Sequence, residues 1–93
     1  MKLINWNREK NKWLKENRNI CFEDILFYIV NDMQIDDIEH PNQERYQGQR
    51  IAVLNIKDYV YYVPYLETEE EIFLKTIIPS RKATKKYLEN KNE

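Results

Sequence analysis

The chain has very little of the residue types on which most catalytic and cofactor sites depend. Its 93 residues include one glycine, one cysteine, one histidine and a single serine, Ser80. One glycine excludes a glycine-rich phosphate loop, and the surroundings of Ser80 do not resemble a nucleophile elbow. Cys21 and His40 alone do not make a metal site. We therefore expect neither a metal nor a cofactor, and triad hydrolases fit poorly.

The same scarcity bears on the compartment and the class of fold. A lone cysteine forms no internal disulfide, which fits a reducing cytoplasm. No apolar run approaches the length of a membrane span, and Met1-Lys2 leads directly into a mixed segment. We therefore expect no membrane partner and no secretory signal. With one glycine and three prolines, residues 1–93 are expected to form a single folded domain.

Charge is abundant but unevenly distributed along the chain. The net charge is −1, yet residues 1–18 carry +4, residues 19–79 carry −8 and residues 80–93 carry +3. If the basic ends meet in space, they form a cationic face on an acidic protein. The acidic run at 67–71 is expected to solvate a turn, and contact with a basic partner is the competing interpretation.

The hydrophobic pattern predicts an α+β fold with the element order β-α-α-β-β-β-β-α. Strands are expected at 3–6, 33–39, 50–56, 59–66 and 72–79, and helices at 8–17, at 21–31 and after Ser80. Short connections between the last three strands predict an antiparallel sheet of about four to five strands. Two N-terminal helices are expected to pack on one face of the sheet, and a C-terminal helix follows it.

Several residues carry local predictions. Trp13 is expected to dock the first helix, because that helix has few other apolar positions. Cys21 is expected to be a small buried side chain rather than a nucleophile. Lys57-Asp58 fits a two-residue hairpin turn. Pro64 lies in the predicted central strand, where it predicts a bulge or the end of pairing on one side.

Cations and tyrosines are the remaining chemistry. Arg81 and Lys82 fall in the first turn of the last predicted helix, where the macrodipole opposes cations by a few tenths to about 1 kcal/mol. This placement indicates an anionic partner, and a solvated basic helix is the competing interpretation. A sheet face with cations and aromatics binds RNA by neutralising phosphates and stacking bases. Cleavage by the ribose 2′-OH further needs groups that move protons and stabilise the developing dianion.

One histidine and a cluster of tyrosines are candidates for the proton transfers. Histidine titrates near neutral pH, and His40 is the only one in the chain. Tyr62 lies in the strand beside the predicted cationic elements. The competing interpretations are that His40 is only an exposed turn residue and that the tyrosines only pack against the sheet.

Four segments carry a further set of motifs, in a fixed order over nearly the full length. They are Trp6-Asn7-Arg8-Glu9-Lys10-Asn11 with Leu14, then Ile20-Cys21-Phe22-Glu23-Asp24, then Glu44-Arg45-Tyr46, and last the segment 77–87. These segments resemble the motifs W-D-x-x-K-N…L, V-S-F-E-D-A, E-R-W/Y and I-I-S-A-R-x-A-T of the BrnT family of bacterial toxins.

The resemblance implies a RelE-like fold and the toxin component of a type II toxin–antitoxin system. Such a toxin inhibits translation by metal-independent endoribonucleolytic cleavage of RNA. The implied partners are RNA and a cognate antitoxin of the ribbon-helix-helix type, so that this chain contacts DNA little itself. Asn17-Arg18 stands where the family has a His-Gly pair. This departure favours the alternative, a RelE-like binding module that holds an antitoxin or RNA without cleaving it.

The candidate site combines the family positions Lys10, Arg45 and Arg81 with the cations and rings singled out above. The candidate catalytic residues are Arg81, His40, Arg45 and Tyr62, and the candidate RNA-binding residues are Lys10, Arg50, Lys75, Lys82, Lys85 and Lys86.

Overall fold

The computed structural model describes residues 2–89, which contain six strands and three helices. The strands are β1 (Leu3–Trp6), β2 (Asp36–Glu39), β3 (Gln49–Ile56), β4 (Tyr59–Glu67), β5 (Glu71–Leu74) and β6 (Ile78–Pro79), and the helices are α1 (Arg8–Arg18), α2 (Phe22–Val30) and α3 (Arg81–Thr84). A π-helical turn over Lys85–Glu89 extends α3. Within residues 2–89, no helix is long and apolar enough to cross a membrane. The predicted α+β class is confirmed.

The strands form one mixed sheet in the order β1-β5-β4-β3-β2, with β6 beside β4. The pair β1–β5 is parallel and the other pairs are antiparallel. The antiparallel pairing predicted for the last three strands is confirmed, because β4 pairs antiparallel with both β3 and β5, but the prediction of a wholly antiparallel sheet was wrong at β1. The five predicted strands are present, and the sixth, β6, is the end of the predicted strand at 72–79. Most of the domain separates β1 from β5, so no short connection sets their relative direction.

Pro64 interrupts the sheet on one side of the central strand. The predicted end of pairing is confirmed, because β4 pairs with β5 beyond Pro64 and with β6 before it. The Pro64 carbonyl still accepts from the Lys75 N–H at 2.8 Å, but a proline has no N–H to return. The predicted continuous strand at 72–79 was wrong for this reason, since the chain leaves the sheet between Leu74 and Ile78.

The predicted strand at 33–39 was too long at its start. Asp32 adopts a left-handed conformation, with φ of 54°, and the Met33 N–H bonds to the Tyr28 carbonyl at 2.8 Å. These residues therefore end α2 rather than extend the sheet. The predicted hairpin turn is confirmed, with φ of 54° at Lys57 and 66° at Asp58.

Both faces of the sheet are covered by helices, although unequally. The larger core joins α1 and α2 to one face through Leu14, Ile20, Phe22, Ile25, Ala52, Leu54, Val63, Tyr65, Leu74 and Ile77. The smaller core joins α3 to the opposite face through Val53, Val60 and Ala83. Cys21 is buried, which raises the pKa of its thiol and confirms that it is a packing residue.

The docking residue of α1 is not the one predicted from its size. Leu14 is fully buried, whereas Trp13 keeps 42% of its surface exposed. Lys10 Nζ lies 4.5 Å and Arg18 Cζ 5.0 Å from the Trp13 ring centroid. The indole is thus flanked by cations on the outside of the helix, and the prediction for Trp13 was wrong.

The Ser80 hydroxyl caps α3, and the Thr84 hydroxyl together with the Ser80 N–H attaches α3 to Val60 of β4. Ser80 is the predicted N-cap, and its Oγ accepts from the Ala83 N–H at 3.0 Å. Thr84 Oγ1 accepts from the Val60 N–H at 2.9 Å and donates to the Ser80 carbonyl at 2.7 Å. Thr84 thereby satisfies a buried backbone amide where β6 no longer pairs with β4.

This attachment predicts a specific cost for Thr84→Val, which conserves volume but removes the hydroxyl. The Val60 N–H would be left buried without an acceptor, so we expect the free energy of unfolding to fall by about 1–3 kcal/mol. Urea denaturation followed by circular dichroism measures this change. The control Thr84→Ser keeps the hydroxyl and should lose less. Equal losses in the two variants would contradict the assignment.

Candidate functional site

A cavity of about 330 Å³ opens on the face of the sheet that α3 occupies. Its lining consists of His40, Tyr46, Gln49, Pro64, Lys75, Thr76 and Ile78. The cavity lies at the gap between β5 and β6, with the 40–48 loop as its opposite wall. The gap that Pro64 creates in the sheet therefore supplies one side of the cavity.

The side chain of Gln43 organises the 40–48 loop. Its Nε2 donates to the carbonyls of His40 at 2.8 Å and Gln49 at 3.1 Å, and its Oε1 accepts from the Gly48 N–H at 3.0 Å. Gly48 has φ of 80°, a conformation that glycine adopts without steric cost. These bonds hold Tyr46 and His40 on the same wall of the cavity.

His40 and Tyr46 form an aromatic pair. Their ring centroids are 4.3 Å apart and their planes are tilted by 34°. His40 Nδ1 accepts from the Asn42 N–H at 3.1 Å. A neutral imidazole that accepts at Nδ1 carries its proton on Nε2, so neither nitrogen offers a free lone pair in this arrangement. The geometry suits His40 to packing and donation better than to proton abstraction.

The opposite wall comes from the segment that leaves the sheet after β5. Lys75 is exposed, with its Nζ 5.2 Å from the Phe73 ring centroid on the same side of the sheet. Thr76 Oγ1 is buried and makes no hydrogen bond to residues 2–89. A cation and an unsatisfied hydroxyl thus adjoin the aromatic pair.

A group of cations lies on α3 and its π-helical extension, next to the cavity along the chain. Its members are Arg81, Lys82, Lys85 and Lys86, and all four are exposed. Arg81 follows Ile78, a lining residue, by three positions. The ion pairs within residues 2–89 are Lys2–Glu67 and Arg50–Asp37, so these four cations and Lys75 pair with no described carboxylate.

The acidic turn at 67–71 does not neutralise these cations. Glu67 Oε2 accepts from Lys2 Nζ at 2.5 Å, and Glu71 Oε2 accepts from Asn5 Nδ2 at 2.6 Å. Both carboxylates therefore face the N-terminal strand. In the part of the chain that the structure describes, no three or more His, Cys, Asp or Glu side chains gather to hold a metal ion.

Tyr62 lies in β4 but does not line the cavity. It pairs with Ile78 across the ladder and shares its face of the sheet with Pro64, two residues along the strand. Its ring packs against the smaller core beneath α3. The Tyr62 hydroxyl makes no hydrogen bond to the described residues.

The structure separates the other candidates into two groups. Arg45 adjoins the cavity, with its Cζ 5.5 Å from the Tyr46 ring centroid. Lys10, on α1, lies across the sheet from the cavity. Arg50 also projects from the other face, where its Nε donates to Asp37 Oδ1 at 2.8 Å, and this hydrogen bond raises the pKa of Arg50. The basic ends of the chain therefore do not form one continuous face.

Tyr46, Thr76 and Gln43 were not predicted as functional residues. Tyr46 carried a weak signal, because it is the one aromatic residue in an otherwise polar turn. Thr76 carried no signal in the sequence, because its hydroxyl lacks a hydrogen-bond partner as a result of the break in the sheet opposite Pro64. The role of Gln43 depends on three contacts across the loop, which no local pattern reveals.

A hydrogen bond from Tyr87 to Asp36 holds the extension of α3 against the edge strand β2. The Tyr87 hydroxyl donates to Asp36 Oδ2 at 2.7 Å. This bond lowers the pKa of Asp36 and, together with burial, raises the pKa of Tyr87 to about 12. It helps to orient the helix that carries the cations.

We expect Tyr87→Phe to lower the free energy of unfolding by about 1 kcal/mol at neutral pH. The folded-state pKa of Asp36 is depressed, so the stabilisation is present above its unfolded value and is lost as the pH falls through the folded value. The difference from wild type should therefore shrink below about pH 4. Urea midpoints at neutral and acidic pH measure it. The control is Tyr59→Phe, because the Tyr59 hydroxyl makes no hydrogen bond to residues 2–89. A stability difference between Tyr87→Phe and wild type that does not depend on pH would contradict the assignment.

Comparison with known proteins adds no relative: the chain matches no protein-family model, no curated protein and no solved structure.

Proposed function

We propose that this chain is the toxin of a type II toxin–antitoxin pair, with a RelE-like fold of the BrnT type, and that it inhibits translation in the cytoplasm by metal-independent endoribonucleolytic cleavage. The observation that carries the proposal is the cavity face. Lys75 lines a cavity with an aromatic wall, and Arg81, Lys82, Lys85 and Lys86 follow the lining residue Ile78 along the chain; none of these cations pairs with a described carboxylate. The motif resemblance adds the family and the partner. RNA supplies the phosphates and the flat bases that such a surface binds.

In the proposed reaction, the ribose 2′-oxygen attacks the adjacent phosphate and the 5′-oxygen leaves. Arg81 and Arg45 bind the phosphate and stabilise the charge that develops on its oxygens, which is the largest contribution in many such sites. We assign both proton transfers to Tyr62: its hydroxyl donates its proton to the departing 5′-oxygen and takes up the proton that the attacking 2′-hydroxyl releases.

One observation favours the alternative function, a binding module that does not cleave. The Nδ1 atom of His40 already accepts a hydrogen bond from the Asn42 N–H. The only histidine of the chain is therefore not arranged as a general base. Together with Asn17-Arg18 in place of the family's His-Gly pair, this leaves cleavage dependent on Tyr62 and the cations.

Expression and cleavage assays test the primary proposal. Induced expression in a bacterium should arrest growth, and the purified chain should release fragments from RNA in the presence of a chelator. Arg81→Ala should reduce cleavage by about two to three orders of magnitude, because it removes a charge from the transition state. The matched control is Lys12→Ala, an exposed cation of α1 on the other side of the sheet, which should leave both effects unchanged.

The salt dependence of RNA binding separates the two functions. If the affinity for RNA falls steeply as the salt concentration rises, but the chain releases no RNA fragments, the binding module is established in place of the nuclease. Normal growth and intact RNA at high soluble expression, without RNA binding, would refute both.

The proposed antitoxin covers the same cations with an acidic segment that folds on binding. We expect it to be encoded in the adjacent reading frame and to carry a ribbon-helix-helix domain, so that it, rather than this chain, contacts DNA. The contacts of the acidic turn support this partner. Glu67 and Glu71 bond to Lys2 and Asn5, and the cationic surface therefore remains open to an acidic segment from another chain.

Charge reversal tests the antitoxin interface. We expect Arg81→Glu combined with Lys85→Glu to weaken antitoxin binding by about 2–5 kcal/mol, since like charges would then face each other. Isothermal titration calorimetry with the antitoxin measures the loss. Lys12→Glu combined with Lys15→Glu, on α1, is the matched control. An equal loss in both double variants would place the interface elsewhere.

A further inference from the structure

We propose that the cavity at the gap between β5 and β6 holds a single unstacked nucleobase of the bound RNA and makes the chain selective for base identity. The inference deepens the proposed function and rests on it. It assigns to His40 and Tyr46 the role of a base-stacking platform, and to Thr76 the role of a contact to the edge of the base.

The volume of the cavity is sufficient for one aromatic ring. Its volume of about 330 Å³ lies at the lower end of the range of small-molecule pockets. The His40 and Tyr46 rings already stand in a tilted stack, with centroids 4.3 Å apart. A further ring extends this stack, and Pro64 and Ile78 provide apolar contacts opposite. Single-stranded RNA offers such rings because its bases unstack at low cost.

The polar groups at the cavity are arranged to contact a base and the phosphates on either side of it. Thr76 Oγ1 is buried without a hydrogen-bond partner among residues 2–89, a state that folded proteins rarely leave uncompensated. Rotation about its Cα–Cβ bond presents the hydroxyl to a ligand, as donor or as acceptor. Lys75 lines the cavity, and the Cζ atom of Arg45 lies 5.5 Å from the ring centroid of the lining residue Tyr46. Both are exposed cations that can neutralise consecutive phosphates.

The hydrogen bonds of His40 support a positioning role rather than a catalytic one. Its Nδ1 accepts from the Asn42 N–H, and its carbonyl accepts from Gln43 Nε2 at 2.8 Å. These bonds fix the ring within the loop that also carries Tyr46. An acidic peptide would match Lys75 and Arg45 equally well, but it would not require a stacked aromatic pair beside an unsatisfied hydroxyl. The arrangement therefore favours a nucleotide.

Fluorescence anisotropy with labelled oligoribonucleotides tests the pocket. The probes are oligouridylate, oligoadenylate and oligocytidylate of equal length, and a ribose-phosphate chain of that length without bases. Wild type should bind at least one homopolymer about tenfold more tightly than the abasic chain. Tyr46→Ala should remove this preference while leaving affinity for the abasic chain unchanged. The matched control Tyr59→Ala, at the hairpin turn, should keep the preference.

Conservative variants separate stacking from proton transfer and from loss of folding. His40→Phe should retain the preference for bases and leave the pH profile of RNA cleavage unmoved, whereas His40→Ala should lose the preference. Thr76→Val should change the ranking of the three homopolymers. Circular dichroism confirms that each variant is folded.

Distinct outcomes separate the failure of the pocket from the failure of the proposed function. RNA binding without any advantage over the abasic chain would overturn the pocket and leave the proposed function standing. If His40→Phe removes the pH dependence of RNA cleavage, the role assigned to His40 is also overturned. If Tyr46→Ala weakens only the complex with the antitoxin, the cavity is a peptide site and the inference is wrong. Absence of any RNA binding by wild type would refute the proposed function, and the pocket with it.

Discussion

The absence of an N–H group at Pro64 is the constraint on which the rest of the candidate site depends. Along β4, residues 60, 62 and 64 direct their backbone groups toward the same neighbour, as the bonds at Val60 and Pro64 show. A strand that pairs there receives no hydrogen bond from Pro64. The segment after β5 makes one hydrogen bond there, from the Lys75 N–H to the Pro64 carbonyl, and then leaves the sheet. The gap exposes Lys75, isolates the Thr76 hydroxyl and opens the cavity.

The cationic helix is placed by polar contacts more than by burial. Among residues 2–89, Val53, Val60 and Ala83 are buried beneath α3, with Tyr62, Tyr87 and Leu88 partly buried against them, and a helix this short has little stability of its own. The hydrogen bonds of Thr84 and Tyr87 therefore determine much of its position. Thr84 completes the ladder of the central strand, and Tyr87 reaches a carboxylate of the edge strand. The position of the cations relative to the cavity thus depends on side chains that carry no net charge at neutral pH.

Local patterns predicted most of the elements because each depends on neighbours in the chain. The helix predicted at 21–31, the hairpin at Lys57-Asp58 and the N-cap at Ser80 are of this kind, and all three were confirmed. The parallel pairing of β1 was missed because it joins distant segments. The apolar run at 72–79 looked continuous in sequence, although Pro64 had already indicated a break in pairing.

The candidate site was predictable in its charges but not in its shape. The basic segment from Arg81 onward was evident from composition, and its described cations, Arg81, Lys82, Lys85 and Lys86, do pair with no described carboxylate. The assignment of Lys10 and Arg50 to the same surface was not supported, because the sequence does not show which face of a sheet a cation occupies. Arg50 is instead committed to Asp37. The cavity depends on contacts between the 40–48 loop and the segment after β5, which are distant in sequence.

The distribution of charge explains how an acidic protein presents a cationic surface. Several acidic residues in the middle of the chain are engaged within the fold: Asp37 accepts from Arg50 and Tyr65, Asp36 from Tyr87, and Glu67 from Lys2. The cations of α3 have no such partners among residues 2–89. Net charge therefore says little about the local potential at the cavity. Because exposed cations are screened over about 8–10 Å at physiological salt, an anionic ligand near α3 experiences mainly the neighbouring positive charges. The overall acidity of the chain thus presents no obstacle to binding a polyanion at this face.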